Sequence, residues 1–139
     1  MTQATALHAA AAERPDVLVV DDDQATRTLL ATALSRSGCR VTCAEEFEEA
    51  GAILEYREYD ALCVDLDLRG LSGLEGLDLV GQAHHRWPAL NIVVQTGNAD
   101  PDVHQACLSR GARAVFVKGQ PLAGFLQLLQ PSLQEVGSW

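Results

Sequence analysis

The chain has 139 residues, of which 47% are hydrophobic, and this size and composition suit a single domain with one sizeable core. Its formal net charge of -9 argues against nucleic acid or an anionic membrane as a partner, because both require a basic surface. No apolar stretch is as long as the roughly 20 residues that a transmembrane helix needs.

Residues 1–15 are rich in alanine and lack the charged and apolar regions of a secretory signal, so we expect a flexible N-terminal tail. The first strand is predicted over Asp16 to Val20. Apolar residues then recur at helical spacing up to Gly38, whose position is typical of a helix end. Asp22 or Asp23 is expected to cap the first turn of this helix.

A short edge strand is predicted over Arg40 to Ala44, followed by a helix over about Glu45 to Tyr56 with an acidic first turn. The next strand ends at Asp65. Residues 69–76 contain three glycines, so we expect a loop there, and the helix after it is predicted over Leu77 to Trp87.

A fourth strand reaches Gln95, and the helix after it is predicted to have Asp100 as its cap and to end at Gly111. The last strand reaches Lys118, and apolar residues from Leu122 to Leu133 predict a final amphipathic helix. Strand and helix thus alternate five times. Right-handed crossovers of this kind predict an α/β fold with a doubly wound, five-stranded parallel sheet and helices on both faces.

The chain has four cysteines, Cys39, Cys43, Cys63 and Cys107. None of them forms a C-x-x-C pair, so we expect free thiols in a reducing compartment, the cytoplasm. A metal site made of Cys39, Cys43 and one of the histidines at 84 and 85 is disfavoured, because a strand-like segment separates the first two.

Polar side chains with possible chemistry lie where four of the predicted strands end. They are Asp21, Asp22, Asp65, Thr96 and Lys118. Because the carboxyl ends of parallel strands lie along one edge of a sheet, we expect these residues to converge on one crevice. Three carboxylates would repel one another there, and a hard cation such as Mg²⁺ would relieve that repulsion.

The same crevice has the groups that phosphoryl transfer requires. A carboxylate such as Asp65, held against Mg²⁺ by Asp21 and Asp22, can attack phosphorus and form an aspartyl phosphate. Lys118 is the only lysine in the chain and offers a compact positive charge for the phosphoryl oxygens, while Thr96 offers a hydroxyl.

The ordered segments VLVVDDD (17–23), LCVD (62–65), VVQTG (93–97) and VFVK (115–118) resemble a response regulator receiver domain of two-component signalling. The resemblance covers about Asp16 to Val136. It implies a receiver domain over residues 16–137, a flavodoxin-like strand order 2-1-3-4-5, and no output domain in this chain.

The resemblance also implies what the site residues do. Asp65 would accept a phosphoryl group from a sensor histidine kinase or phosphotransfer protein, so the chain would be a signalling switch and not a turnover enzyme. Asp21, Asp22, Asp65 and the backbone carbonyl of Asp67 would bind Mg²⁺. Thr96 and Lys118 would contact the phosphoryl oxygens. The signal would pass to a downstream protein or to a second copy of the chain.

The chain departs from the family pattern at the end of the last strand. The family has proline directly after the lysine, whereas here Gly119 follows Lys118, so a trans bond is predicted. Val115 occupies the position of the family's switching aromatic, and Phe116 is expected on the other face of the sheet.

A further departure is predicted in the loop after Asp65. The family has a glycine about eight residues after the acceptor, which Gly73 matches, but Gly76 gives a better spacing to the end of the next helix. We therefore expect about three extra residues in this loop. Leu128 is expected off the core face of the last helix, where it could mark a contact with a partner.

Two alternatives stay open. The first is a receiver-like protein-binding module that works without phosphorylation, which the altered residues after Lys118 and at Val115 favour. The second is a phosphatase of the haloacid dehalogenase type, with Asp65 as nucleophile and Asp67 as general acid. Those enzymes place this motif on the first strand, whereas here an earlier strand and its aspartates precede it.

Overall fold

The computed structural model describes residues 14–68 and 74–129, in which strands and helices alternate along the chain. The strands are β1 (Asp16–Val20), β2 (Arg40–Ala44), β3 (Ala61–Asp65), β4 (Asn91–Thr96) and β5 (Ala114–Val117). The helices are α1 (Gln24–Arg36), α2 (Phe47–Tyr56), α3 (Leu74–Arg86), α4 (Pro101–Arg110) and α5 (Leu122–Leu128). Within these ranges, no helix is long and apolar enough to cross a bilayer. Nearly all of the predicted N-terminal tail lies outside the described residues.

The five strands form one parallel sheet in the order β2-β1-β3-β4-β5, which confirms the predicted doubly wound fold. β3 and β4 are buried along their whole length because helices cover both faces of the sheet. Val20 pairs with Val64, and Asp65 pairs with Gln95. The carboxyl ends of the three central strands therefore finish level with one another.

Side chains that alternate along the strands form two cores, one on each face of the sheet. On one face Leu18, Val64 and Val94 belong to a core that includes residues of α2, α3 and α4. On the other face Cys63 and Phe125 belong to a core with α1 and α5. The sheet is thus held from both sides, and its carboxyl edge is presented between the two helical layers.

The predictions for β5 are confirmed. Val115 packs against the core under α2, α3 and α4, whereas Phe116 packs on the opposite face, with its ring centroid 5.5 Å from that of Phe125. The described residues contain no cis peptide bond, so the bond between Lys118 and Gly119 is trans.

Three helix ends form as the sequence predicts. The Asp23 carboxylate accepts the Thr26 N–H at 3.0 Å and caps α1, and Asp100 accepts the Asp102 N–H at 2.9 Å and caps α4. Gly111 ends α4 with a φ of 115°, a left-handed conformation that glycine adopts without a steric penalty.

The prediction of a longer loop after Asp65 is wrong. Helix α3 begins at Leu74, directly after Gly73 in the sequence and three residues earlier than predicted, and it ends at Arg86. Gly76 lies in the first turn of α3, where an added Cβ would be 2.7 Å from Leu66 Cδ1. This glycine allows the helix to pack closely on the segment after β3, so it is a packing residue and not a loop residue.

Two smaller predictions also need correction. Helix α2 begins at Phe47 and not at Glu45, because Glu46 is extended and forms its N-cap. Leu128 is half-buried and packs against the core on the α1 and α5 face, so it does not lie off the core face of its helix. Leu133 lies outside the described residues.

Candidate functional site

The three aspartates at the ends of β1 and β3 lie together at the carboxyl edge of the sheet. Asp21, Asp22 and Asp65 each have a carboxylate oxygen within 4.8 Å of the others. Asp21 and Asp65 are buried, with 1% and 2% of their surface exposed, and Asp22 is half-buried. The structure therefore brings together the three acids that the sequence predicts to converge.

Asp21 is the most buried of the three aspartates. Its Oδ1 accepts the Asp23 N–H at 2.9 Å, but its Oδ2 is buried and has no hydrogen-bond partner among the described residues. Burial raises the pKa of Asp21 to about 6, and the charge of Asp65 adds to this rise. The N–H of Asp23 and the charge of Lys118 act in the opposite direction.

Lys118 supplies the positive charge of the site from the residue that follows β5. Its Nζ lies 2.8 Å from Asp65 Oδ1 and 3.6 Å from Asp67 Oδ2. Burial acts to lower the pKa of the ammonium, but the hydrogen bond with Asp65 and the surrounding carboxylates raise it above its ordinary value. Lys118 is therefore charged at neutral pH.

Thr96 contacts Asp67 through its hydroxyl. It is fully buried, and its Oγ1 donates to Asp67 Oδ1 at 3.1 Å. Asp67 Oδ2 accepts the Gly97 N–H at 2.6 Å, while the Asp67 N–H donates to Asp65 Oδ1 at 2.9 Å. For a receiver domain, the sequence predicts a role for the backbone carbonyl of Asp67, and only the phosphatase alternative gives its carboxylate a role. Its carboxylate contacts could not be found from spacing, because they join residues 29 and 30 positions apart.

Gln95 is a further residue of the site that the sequence reasoning missed. It is 3% exposed, pairs with Asp65 across the sheet, and has a buried Nε2 with no hydrogen-bond partner among the described residues. A glutamine within an otherwise apolar strand end was the available signal.

The site opens into a cavity of about 580 Å³ that is acidic on one side and apolar on the other. Its apolar lining includes Leu29, Leu30, Phe116 and Leu122. Leu29 is 57% exposed at the rim, on the helix that Asp23 caps. The acidic group is therefore accessible to a ligand or a partner.

The acidic group fits a hard divalent cation. Mg²⁺ prefers carboxylate oxygens, and it usually retains several water molecules. Here three carboxylates meet, and one of their buried oxygens lacks a hydrogen-bond partner among the described residues. A cation in this group would offset the cost of burying ionised Asp21.

The fold and the acidic group together define a class of protein: a doubly wound α/β domain with three clustered aspartates at the carboxyl edge of its parallel sheet. A family model described as the response regulator receiver domain matches residues 17–130. The chain belongs to this family, whose members are receiver domains of two-component systems.

Two proteins of known name are similar to this chain over most of its length. The sensory/regulatory protein RpfC of Xanthomonas campestris pv. campestris is 30% identical over 125 residues, which are 88% of this chain and 17% of RpfC. The sensor histidine kinase AruS of Pseudomonas aeruginosa is 31% identical over 134 residues, which are 94% of this chain and 13% of AruS. This chain therefore spans less than a fifth of either protein.

Among solved structures, a response regulator protein from Burkholderia pseudomallei superposes with a TM-score of 0.76 at 28% identity, covering 89% of this chain and 71% of that one. That crystal structure contains a phosphorylated aspartic acid, a calcium ion and citrate.

Proposed function

We propose that the chain is a phosphorylation-dependent signalling switch in which Asp65 accepts a phosphoryl group from a sensor histidine kinase or phosphotransfer protein. One observation carries this proposal: buried Asp65 lies 2.8 Å from the Lys118 ammonium and within 4.8 Å of the Asp21 and Asp22 carboxylates. The phosphorylated aspartic acid in the Burkholderia pseudomallei relative supports it.

The reaction transfers one group between two nucleophiles. An oxygen of Asp65 forms a bond to phosphorus as the bond between phosphorus and the donor's imidazole nitrogen breaks. A proton on the donor's other ring nitrogen lets the ring leave as a neutral imidazole, and the product is an aspartyl phosphate. Lys118 neutralises charge on the phosphoryl oxygens. Bound Mg²⁺ would supply further positive charge, held by Asp21, Asp22, Asp65 and the backbone carbonyl of Asp67.

A change at Asp65 would alter the surface that binds a downstream protein or a second copy of the chain. The similarity of the chain to the sensor histidine kinase AruS supports a histidine kinase or phosphotransfer partner. All four cysteines are free thiols in the structure, which supports a cytoplasmic setting for the switch.

The phosphatase alternative is disfavoured by the position of the second carboxylate. A general acid must reach the leaving group at the nucleophile. The Asp67 carboxylate is instead held by Thr96 and Gly97, at 3.1 Å and 2.6 Å. We therefore propose a self-modifying acceptor and not a turnover enzyme.

The proposal is tested by incubating the protein with acetyl phosphate and Mg²⁺ and measuring its intact mass. The wild type is expected to gain the mass of one phosphoryl group, and Asp65→Asn is expected to gain none. Asp78→Asn is the matched control, because Asp78 is an exposed aspartate of α3. If the wild type gains no mass, the phosphoacceptor proposal fails and the non-phosphorylated binding module takes its place. A gain in Asp65→Asn equal to that of the wild type would place the acceptor elsewhere.

The affinity for Mg²⁺ is expected to rise with pH up to about 6 and then to level off. Asp21 has a pKa of about 6 because of burial, so below this pH a cation must displace a proton. We expect the affinity to fall by up to about tenfold for each pH unit below 6. Isothermal titration calorimetry between pH 5 and 7.5 measures this dependence. A flat profile would mean that Asp21 does not bind the cation.

A further inference from the structure

The Asp67 carboxylate accepts hydrogen bonds from two donors at the carboxyl end of β4, and it shares the lysine that follows β5 with Asp65. Its Oδ1 accepts the Thr96 hydroxyl, and its Oδ2 accepts the Gly97 N–H. The Lys118 ammonium is shared: it lies 2.8 Å from Asp65 and 3.6 Å from Asp67. A hydroxyl, an N–H and an ammonium thus already surround an anion that belongs to the chain itself.

A phosphoryl group on Asp65 would need the same donors. It carries a charge of about -1.5 to -2 at neutral pH and three strong acceptor oxygens. Asp67 is only two residues from Asp65, and the Asp67 N–H is bonded to the Asp65 carboxylate. Two anions would therefore compete for Thr96, Gly97 and Lys118. Like charges held beside the same ammonium also repel each other.

We propose that Asp67 is an internal competitor, whose carboxylate holds Thr96 and Gly97 in the unmodified protein and is displaced when Asp65 is phosphorylated. This inference rests on the proposed function and names the contact that regulates the same site. The Asp67 side chain is 41% exposed, so it has solvent to move into when it leaves.

The contacts of Thr96 and Asn98 indicate where displacement of the Asp67 carboxylate would have an effect. Thr96 Oγ1 accepts the Asn98 N–H at 3.1 Å, and Asn98 Oδ1 accepts the N–H of Asp100, the N-cap of α4, at 2.8 Å. The Asn98 carbonyl oxygen lies 2.9 Å from the His104 Nε2 on α4. A movement of Thr96 and Gly97 from Asp67 to a phosphoryl group would therefore be transmitted to the segment that begins α4.

This route does not require an aromatic side chain that rotates on β5. Val115 packs into the core, and Phe116 is engaged with Phe125 on the opposite face of the sheet. The hydrogen bond from the Gly97 N–H to the Asp67 carboxylate links the segment after β3 directly to the segment after β4.

Asp67→Asn tests the competition, because asparagine keeps the shape and one acceptor oxygen but removes the charge. The affinity for beryllofluoride, a mimic of the phosphoryl group, is measured at saturating Mg²⁺ so that a change in cation binding does not contribute. We expect Asp67→Asn to bind about tenfold more tightly than the wild type, since a charge-assisted hydrogen bond no longer has to be broken. Asp102→Asn is the matched control: it removes the same charge from an exposed position in the first turn of α4.

The Gly97 amide provides a second readout that does not depend on phosphorylation. Its proton resonance in ¹H–¹⁵N spectra recorded without Mg²⁺ is expected to shift in Asp67→Asn relative to the wild type. In the wild type with Mg²⁺, added beryllofluoride is expected to move the same resonance in the same direction, relative to the spectrum with Mg²⁺ alone. Equal or weaker beryllofluoride affinity in Asp67→Asn would overturn the competition while leaving the phosphoacceptor proposal intact. If the wild type binds no beryllofluoride at all, both proposals fall.

Discussion

Asp21→Asn is expected to stabilise the metal-free protein at pH 7.5 while it weakens Mg²⁺ binding. Asp21 is 1% exposed, and burial raises its pKa from the ordinary value of 3.8 to about 6. The folded state thus binds a proton more tightly than the unfolded state does. This stabilisation is fully present below pH 3.8 and is lost as the pH rises through about 6.

At pH 7.5 the ionised carboxylate therefore costs about 3 kcal/mol, a cost that the neutral amide does not have. The asparagine Oδ1 can still accept the Asp23 N–H, so the turn before α1 is retained. We expect a gain of about 3 kcal/mol in the free energy of unfolding and a rise in Tm of about 8 to 15 °C.

Urea denaturation of both proteins without Mg²⁺, at pH 7.5 and at pH 4, measures this effect. The difference is expected at pH 7.5 and should nearly vanish at pH 4, where Asp21 is protonated in the folded protein. Added Mg²⁺ should stabilise the wild type more than it stabilises Asp21→Asn, because the variant binds the cation more weakly. Asp22→Asn is the control, because it removes the same charge from a half-buried position. A variant less stable than the wild type at pH 7.5 would contradict the cost assigned to burial.

Gly111→Ala is expected to destabilise the fold by about 3 kcal/mol. Gly111 has a φ of 115°, and a Cβ added there would lie 2.2 Å from Cγ and 2.5 Å from Cβ of His84 on α3. A rotation of the histidine ring cannot relieve the contact with its Cβ, so α3 or the end of α4 must shift. The glycine thus allows the close approach of these two helices.

Gly38→Ala isolates the backbone part of this cost. Gly38 has a φ of 93° at the end of α1, and a Cβ added there would have no atom within 4 Å. We expect a loss of about 1 kcal/mol from the left-handed conformation alone. Equilibrium denaturation of the two variants gives both values. Equal losses at the two positions would show that the contact with His84 carries no cost.

The fold was predictable because its signals are local. Apolar strands separated by helices of amphipathic spacing are short-range patterns, and handed crossovers leave few ways to connect them. The convergence of Asp21, Asp65 and Lys118 followed from their positions at strand ends. The predicted start of α3 was wrong because glycine occurs both in loops and where a helix packs closely on its neighbour. The sequence does not show which of the two applies to Gly76.

The sequence by itself predicted the alternation of strands and helices, the group of three aspartates and the lysine that offsets their charge. Only the tertiary structure shows the buried Oδ2 of Asp21, which has no hydrogen-bond partner among the described residues. It also shows the burial of Gln95 and the hydrogen bonds that the Asp67 carboxylate accepts from Thr96 and Gly97. These features depend on side-chain direction and on distances of a few ångströms between strands that are far apart in sequence. Periodicity and spacing carry no information about either quantity.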